Sequence, residues 1–318
     1  MSRQAYKQTA YGLGSNLELL LISEDRKIVD NMFDNLWKEI AEFEQRFSRF
    51  INTSELSYFN KNAGQRLVVS AEFREILSKC IYYGGVTKGV FNPFVLPSLQ
   101  RSGYVGSING ELTSPDYRDR KIYATETIQM GKGWVQIPND SAIDLGGIGK
   151  GYLADKLSKI TDLKINDYCL SIGGDIIASG SGIDGPWQIG VQSAKSSLED
   201  IASYSSKSSK KFAIATSGQA RDKNGRPLRH IIDAKTGKIS ASKYLLSTVV
   251  ASNATAADVL ASCLLIRGPK YGRKIAKSQD LGGFILQSDE ANIVEGNNFQ
   301  DCIENDLDNY TSKELNYA

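Results

Sequence analysis

The sequence of 318 residues contains a single histidine, His230, and four cysteines that form no C-x-x-C pair. One histidine excludes metal centres built from several histidines, and widely spaced cysteines indicate neither a zinc cluster nor a disulfide framework. No stretch is long and apolar enough to predict insertion into a membrane. An excess of charge is also lacking, since 38 Lys and Arg face 36 Asp and Glu. This balance gives no reason to expect a nucleic-acid partner.

The apolar content of 41% is sufficient for a sizeable core. We expect a folded domain over residues 1–290 and an acidic C-terminal extension over residues 291–318. A cytoplasmic location is expected. An exported or membrane-anchored protein whose signal segment had been removed would have the same composition, so that alternative stays open.

Apolar periodicity predicts the first elements of the fold. A Leu-rich run at residues 16–22 predicts a strand. Apolar residues at helical spacing over residues 28–47 predict a long helix after it. A second helix is expected to begin after Ser70 and to end at the glycine pair at residues 84–85.

The second half of the chain is richer in strands, which are predicted at residues 167–172, 176–178, 187–192, 212–215, 248–251 and 284–287. The Ser- and Lys-rich residues 193–211 predict a surface loop. Residues 180–185 match G-x-G-x-x-G, but Pro186 and a strand follow where a nucleotide-binding motif requires a helix. We therefore expect a hairpin turn at residues 180–185.

His230 lies where a strand-like segment runs into a turn that ends at Gly237. Histidine side chains in general titrate near neutrality, which suits proton transfer. A lone histidine is more often structural than catalytic, and both interpretations remain open at this point.

A glycine-rich segment at residues 144–151 precedes an expected helix. Glycines let the backbone approach a phosphate, the helix N-terminus offers N–H groups, and Lys150 adds a positive charge. The spacing does not match the Walker A motif. A tight turn between a strand and a helix is the alternative.

A helix is predicted over residues 253–267, with Asn253 as its cap and Gly268 as its stop. Asp258 and Ser262 share one face of this otherwise apolar helix. Carboxylate and hydroxyl oxygens suit Mg²⁺, which often uses one or two protein carboxylates and completes its octahedron with water and phosphates. An exposed polar stripe is the alternative.

Short motifs recur in order along the chain. They are Leu13-Gly14-Ser15, residues 47–50 with Ser54-Glu55-Leu56 and Asn60, Phe91-Asn92-Pro93, residues 144–155, residues 172–175, Thr216-Ser217-Gly218, residues 230–237 and residues 257–262. In this order they resemble the motifs of the ApbE family, the FAD:protein FMN transferases, over about residues 13–287. Four positions depart from the family pattern, namely Asn92 for Asp, Gly149 for Ala, Ala234 for Pro and Ser262 for Thr.

The resemblance implies an α+β fold, compact and T-fold-like with a mixed sheet and a cleft for FAD. It implies FAD contacts at Leu13, Phe50, Phe91, Asn92, Pro93, Asp144, Lys150 and Ile232. It implies Mg²⁺ ligands at Gly147, Asp258 and Ser262, through the backbone oxygen of Gly147, and catalytic roles for His230 and Asp258.

The reaction implied by the resemblance is Mg²⁺-dependent cleavage of FAD, with transfer of FMN to a hydroxyl of an acceptor protein that carries a Ser/Thr flavinylation motif. AMP leaves. Hydrolysis of FAD to FMN and AMP would use the same motifs, and a non-catalytic FAD-binding protein would use the same cleft. The motifs alone do not separate transfer from hydrolysis.

Overall fold

The computed structural model describes residues 2–104, 115–196, 199–206, 210–218, 230–279, 281–296 and 298–301. The helices are α1 (Arg26–Phe47), α2 (Glu55–Lys61), α3 (Ala71–Val86), α4 (Leu96–Arg101), α5 (Gly149–Thr161), α6 (Ala254–Arg267) and α7 (Pro269–Gln279). Short 3-10 turns lie at Pro93–Val95 and Thr125–Thr127.

The strands are β1 (Gln4–Gly12), β2 (Ser15–Ser23), β3 (Leu67–Val68), β4 (Gln129–Met130), β5 (Trp134–Gln136), β6 (Asp167–Ile172), β7 (Asp175–Ser179), β8 (Gln188–Gln192), β9 (Asp200–Ser205), β10 (Phe212–Gly218), β11 (Ile232–Asp233), β12 (Lys238–Ile239), β13 (Tyr244–Ala251), β14 (Gly283–Ser288), β15 (Asn292–Glu295) and β16 (Phe299–Asp301). The main sheet has the order β1-β2-β6-β7-β10-β13-β14-β15, and its paired strands are antiparallel. Smaller sheets are β16-β9-β8, β3-β5-β4 and β11-β12.

The two faces of the main sheet are covered by different layers. Alternate residues of β2 and β6, such as Leu19 and Leu170, belong to the large core that the helices complete. On the other face, Ile214 and Val250 pack with Ile189 and Tyr204 of the small β8–β9 sheet. Because successive side chains of a strand point to opposite faces, one sheet supports both cores. The predicted α+β class is confirmed.

The predicted helices form where their caps and apolar stripes indicate. Asp25 caps α1 by accepting hydrogen bonds from the N–H groups of Lys27 and Ile28. Ser70 caps α3 through Phe73, and Asn253 caps α6 through Ala256. Each cap satisfies amide groups that a helix end leaves unpaired. The predictions for these three helices are confirmed.

The strand β1 was not predicted, because its side chains are mostly exposed and present no apolar face. It forms because every residue from Gln4 to Gly12 pairs with β2. Backbone hydrogen bonding to the apolar strand β2 forms β1, and the apolar pattern of the sequence does not predict it.

The prediction of a surface loop over residues 193–211 is wrong for β9. Ile201, Ala202 and Tyr204 of this strand are buried against the main sheet. Only a few apolar residues stand among serines and lysines here, so the periodic signal was too short to identify a strand. The strand β9 forms because it pairs with β8.

The prediction of a hairpin at residues 180–185 is also wrong. The turn joins β7, which lies in the main sheet between β6 and β10, to β8, which lies in the other layer. Gly180 has φ +66, and Asp167 accepts a hydrogen bond from the backbone N–H of Ser181. The turn therefore redirects the chain from one sheet to the other.

Two strands lie within the range expected to be an acidic extension. β15 pairs with β14, and β16 pairs with β9. Residues 302–318 lie outside the described residues, and the domain limits at residues 1–290 and 291–318 stay a prediction. In the part of the chain that the structure describes, every helix is too short or too polar to cross a membrane.

Helices α5 and α6 cross in close contact. A Cβ atom on Gly151 would come within 2.5 Å of the carbonyl oxygen of Ala254 and 2.8 Å of Cβ of Asp258. Next to it, the Asp155 carboxylate accepts hydrogen bonds from the N–H groups of Ala254 and Thr255 at 2.7 and 3.0 Å. A residue of α5 therefore caps α6, and the crossing distance leaves no room for a side chain at position 151.

We predict that Gly151→Ala lowers the free energy of unfolding by about 1–3 kcal/mol, because the added methyl group forces the two helices apart. Denaturant unfolding measures the change. The matched control is Gly85→Ala in α3, where an added Cβ meets no atom within 4 Å, so alanine should leave stability unchanged or raise it by up to about 1 kcal/mol. Equal effects of the two substitutions would contradict the close crossing.

Candidate functional site

The glycine-rich segment begins at Asp144, whose carboxylate is buried and fully engaged. Its Oδ1 accepts a hydrogen bond from the N–H of Gly146 at 2.6 Å, and its Oδ2 lies 2.8 Å from Nε of Arg49. The backbone N–H of Asp144 donates to the carbonyl of Pro93 at 2.8 Å. These bonds join the start of the glycine loop to two other motifs that are distant in sequence.

Arg49 is the buried cation of this corner. Its guanidinium lies over the rings of Phe50 and Tyr104, 4.3 and 5.0 Å from their centroids. Among the described residues, its buried Nη1 has no hydrogen-bond partner. The Tyr104 ring in turn lies 5.9 Å from the ring of His230. The structure thus brings Phe50, Asp144 and His230 to one corner through Arg49 and Tyr104.

The Phe91-Asn92-Pro93 motif packs beneath the glycine loop. The Phe91 ring is 3.7 Å from where a Cβ of Gly147 would lie. The Asn92 side chain accepts from the N–H of Phe94 at 2.9 Å and donates to the carbonyl of Tyr123 at 2.8 Å. An aspartate could accept the first bond but could not donate the second, so Asn92 fits its place in this chain.

Asp258 lies beneath the N-terminus of α5. Its side chain is buried, and its Oδ2 accepts a hydrogen bond from the N–H of Gly151 at 3.1 Å. Burial, followed by the charge of Asp175, raises the pKa of Asp258 to about 7, although Lys150 opposes the shift. The alternative of an exposed polar stripe is wrong for this residue.

Ser262 follows Asp258 by one turn of α6. Its Oγ is 2.8 Å from Oγ of Ser217, at the end of β10. In the described part of the chain, no cluster of three or more His, Cys, Asp or Glu side chains is arranged to hold a metal ion. The ligand set that the family resemblance implies is one carboxylate, from Asp258, one hydroxyl, from Ser262, and the backbone oxygen of Gly147. This set suits Mg²⁺, and a cation would stabilise the charged form of a carboxylate whose pKa burial has raised.

Lys150, in the first turn of α5, forms an ion pair with Asp175, with Nζ 3.0 Å from Oδ2. Burial lowers the pKa of Lys150, but the charges of Asp175 and Asp258 outweigh this effect, and the net shift is upward. The charges of these two buried carboxylates therefore keep the lysine in its charged form.

Leu13 and Ile232 lie in two different parts of the fold. Leu13 has φ +53 in the turn between β1 and β2, and its N–H donates to Glu44 of α1 at 2.9 Å. Ile232 is buried in β11, and the next residue, Asp233, is held by Arg267 at 2.7 Å. The segment that carries His230 is therefore tied to the C-terminal end of α6.

The structure adds four residues to this site for which the sequence predicted no role. Arg49, Asp175 and Ser217 belong to motifs in the sequence, and their polar side chains were the available signal. Tyr104 had no signal, because only folding brings it against Arg49. An open groove of about 620 Å³ lies nearby, but none of the predicted site residues lines it, so groove size does not locate the site.

The chain is similar to known proteins in family profile, in sequence and in structure. The profile of the ApbE family matches residues 13–285. The FAD:protein FMN transferase of Haemophilus influenzae is 26% identical over 269 residues, which cover 76% of this chain and 74% of that protein. The protein of the same name from Klebsiella pneumoniae is 24% identical over 312 residues, with 91% and 84% covered.

Solved structures share the fold. The flavin transferase ApbE from Vibrio cholerae matches with a TM-score of 0.74 and 22% identity, covering 92% of this chain and 98% of that chain. The apbe protein from Thermotoga maritima matches with a TM-score of 0.77 and 23% identity, covering 94% and 97%.

We predict that the thermal stability of the metal-free protein falls as pH rises from about 4 to about 7, and that Asp258→Asn makes this fall shallower. Folded protein keeps the Asp258 proton up to a pKa of about 7, whereas the ordinary value is 3.8. The folded state therefore binds more protons in this window, and stability decreases with pH. Calorimetry at several pH values compares the two slopes. Burial also raises the pKa of Asp175, so part of the slope should survive, and identical slopes would contradict the assignment to Asp258.

Proposed function

The chain belongs to the ApbE family, and we propose that it is a Mg²⁺-dependent FAD:protein FMN transferase. The observation that carries the proposal is that buried Asp258 is bonded to the N–H of Gly151, the residue after Lys150, so that the lysine and this carboxylate act on each other's charge where α5 and α6 cross. A lysine and a carboxylate suited to a hard cation are the groups needed to hold a pyrophosphate. The names of the relatives support FAD as the donor.

The metal would be held by Asp258, Ser262 and the backbone oxygen of Gly147. Bound Mg²⁺ supplies positive charge that neutralises phosphate oxygens as the pyrophosphate is cleaved. The hydrogen bond from Gly151 to Oδ2 of Asp258 orients the carboxylate. The Ser217 hydroxyl, 2.8 Å from that of Ser262, can accept a hydrogen bond from Ser262 and leave a lone pair of Ser262 for the cation.

FAD would be held by residues from several motifs. Lys150 and the N-terminus of α5 suit the phosphates, because both present positive charge. Phe50 and Phe91 offer aromatic surface for the flavin. Leu13, Asn92, Pro93, Asp144 and Ile232 complete the proposed binding set. The buried Nη1 of Arg49 is an additional donor in the Asp144 corner.

In the proposed reaction, the hydroxyl oxygen of an acceptor Ser or Thr attacks the phosphorus on the riboflavin side of FAD. A new phosphoester bond forms, the pyrophosphate P–O bond breaks, and AMP leaves with the bonding electron pair. Lys150 stabilises the charge that develops on the phosphoryl oxygens. His230 receives the hydroxyl proton, a task suited to a side chain that titrates near neutrality.

We predict that mixing the protein, FAD, Mg²⁺ and an acceptor protein with a Ser/Thr flavinylation motif yields a covalent FMN adduct and AMP. Mass spectrometry of the acceptor detects the adduct. Asp258→Asn should abolish Mg²⁺-dependent transfer because it removes the ligand charge, and Ser262→Ala should reduce it less. Release of free FMN and AMP without an adduct would favour hydrolysis, and binding of FAD without cleavage would favour a non-catalytic protein.

We predict that His230→Ala binds FAD normally but transfers FMN about 100- to 10,000-fold more slowly, the usual cost of losing a positioned general base. Single-turnover adduct formation at saturating FAD measures the chemical step. Thermal unfolding of the same preparation is the control, because a structural histidine would change stability and leave the rate of the folded fraction intact. A near-normal rate in folded protein would remove His230 from the mechanism.

A further inference from the structure

One buried carboxylate at the site has no role in the reaction described above. Asp175 is the first residue of β7, directly after the turn at Gly173 and Gly174. It is 2% exposed, and its Oδ2 lies 3.0 Å from Nζ of Lys150. Burying a carboxylate costs solvation free energy that attraction to a cation often does not recover. The Lys150 side chain is still 32% exposed, so the ion pair is a weak source of stability, and its effect on the position of the lysine is the more important one.

Both partners of the pair have further neighbours. The backbone of Thr216, in the neighbouring strand β10, lowers the pKa of Asp175 and so opposes the effect of burial. The lysine stem is confined by the turn, because a Cβ on Gly173 would come within 3.3 Å of Cδ of Lys150 and 2.5 Å of Oγ of Ser15. Gly173 also has φ +67, a conformation that favours glycine. The turn therefore packs directly on the lysine and fixes where its ammonium group can lie.

Lys150 has a second carboxylate within electrostatic range. Asp258 acts on the charge of the lysine together with Asp175, and Asp258 is bonded to the backbone of the very next residue, Gly151. An ammonium group that turned to Asp258 would neutralise the carboxylate proposed to bind Mg²⁺. In the structure the ammonium group is instead paired with Asp175, at 3.0 Å.

We propose that Asp175 is a positioning residue that holds the Lys150 ammonium group for the substrate phosphates and keeps it from pairing with Asp258, so that Asp258 remains available to a divalent cation. This inference rests on the proposed function for the identity of the metal ligand. It adds that Mg²⁺ affinity depends on a carboxylate that does not itself bind the metal.

The test is titration of the purified, FAD-free protein with Mg²⁺ alone, followed by calorimetry. In Asp175→Asn, which keeps the size of the side chain, Lys150 is free to pair with Asp258, and Mg²⁺ affinity should fall about tenfold, within the range of coupling between neighbouring charges. In the double variant Lys150→Met with Asp175→Asn, the competing cation is gone. Its Mg²⁺ affinity should return to within about threefold of the starting protein.

The matched control is Asp167→Asn, which removes a carboxylate from the far end of the same β6–β7 pair, where Asp167 lies 2.9 Å from Arg3. Its Mg²⁺ affinity should not change. Thermal unfolding of each variant shows whether it is folded. If Asp175→Asn alone does not fold, the double variant can still be measured, because it leaves neither charge of the ion pair without its partner. A structural role for Asp175 predicts that the double variant binds Mg²⁺ no better than Asp175→Asn, and this result would overturn the proposal.

Asp258→Asn separates failure of this inference from failure of the proposed metal site. If Asp258→Asn binds Mg²⁺ as tightly as the starting protein, the metal site itself is wrong. If Asp258→Asn loses Mg²⁺ binding while Asp175→Asn retains it, the metal site stands and the positioning role of Asp175 is wrong.

Discussion

The close crossing of α5 and α6 is the constraint on which the rest of the site depends. Gly151 lets α5 approach the backbone of Ala254, and its N–H then reaches Asp258. Asp155 fixes the same crossing by capping α6. The first turn of α5 and the polar face of α6 are thereby held in contact, and a helix N-terminus, a lysine and a buried carboxylate share one small volume.

The three buried carboxylates of the site differ in how their charge is neutralised. Asp144 is paired with Arg49, and Asp175 is paired with Lys150. Asp258 is left with an amide donor and a raised pKa. An incompletely neutralised buried carboxylate is unfavourable by itself and favours a bound cation. The asymmetry among the three carboxylates therefore distinguishes the proposed metal ligand, Asp258, from two carboxylates that pair with positive side chains.

Much of the fold could be predicted from local patterns. The apolar stripe and cap of α1, and the cap and glycine stop of α6, determine those helices within a residue or two. The strands β1 and β9 were missed because their sequences carry little apolar periodicity and their formation depends on partners far along the chain. The turn at residues 180–185 was wrongly predicted to be a hairpin, because the local sequence does not show which sheet the next strand will join.

The sequence by itself determined the chemical inventory of the site, because Asp144, Lys150, His230 and Asp258 stand in motifs whose order indicates the family. It also suggested that the glycines of residues 144–151 allow a ligand to approach. Only the tertiary structure decided that Gly151 is required by helix packing, with Asp258 lying 107 positions away in sequence. The raised pKa of Asp258 and the choice of Asp175 as partner of Lys150 likewise arise from burial and from distances between charges, which exist only once the chain has folded.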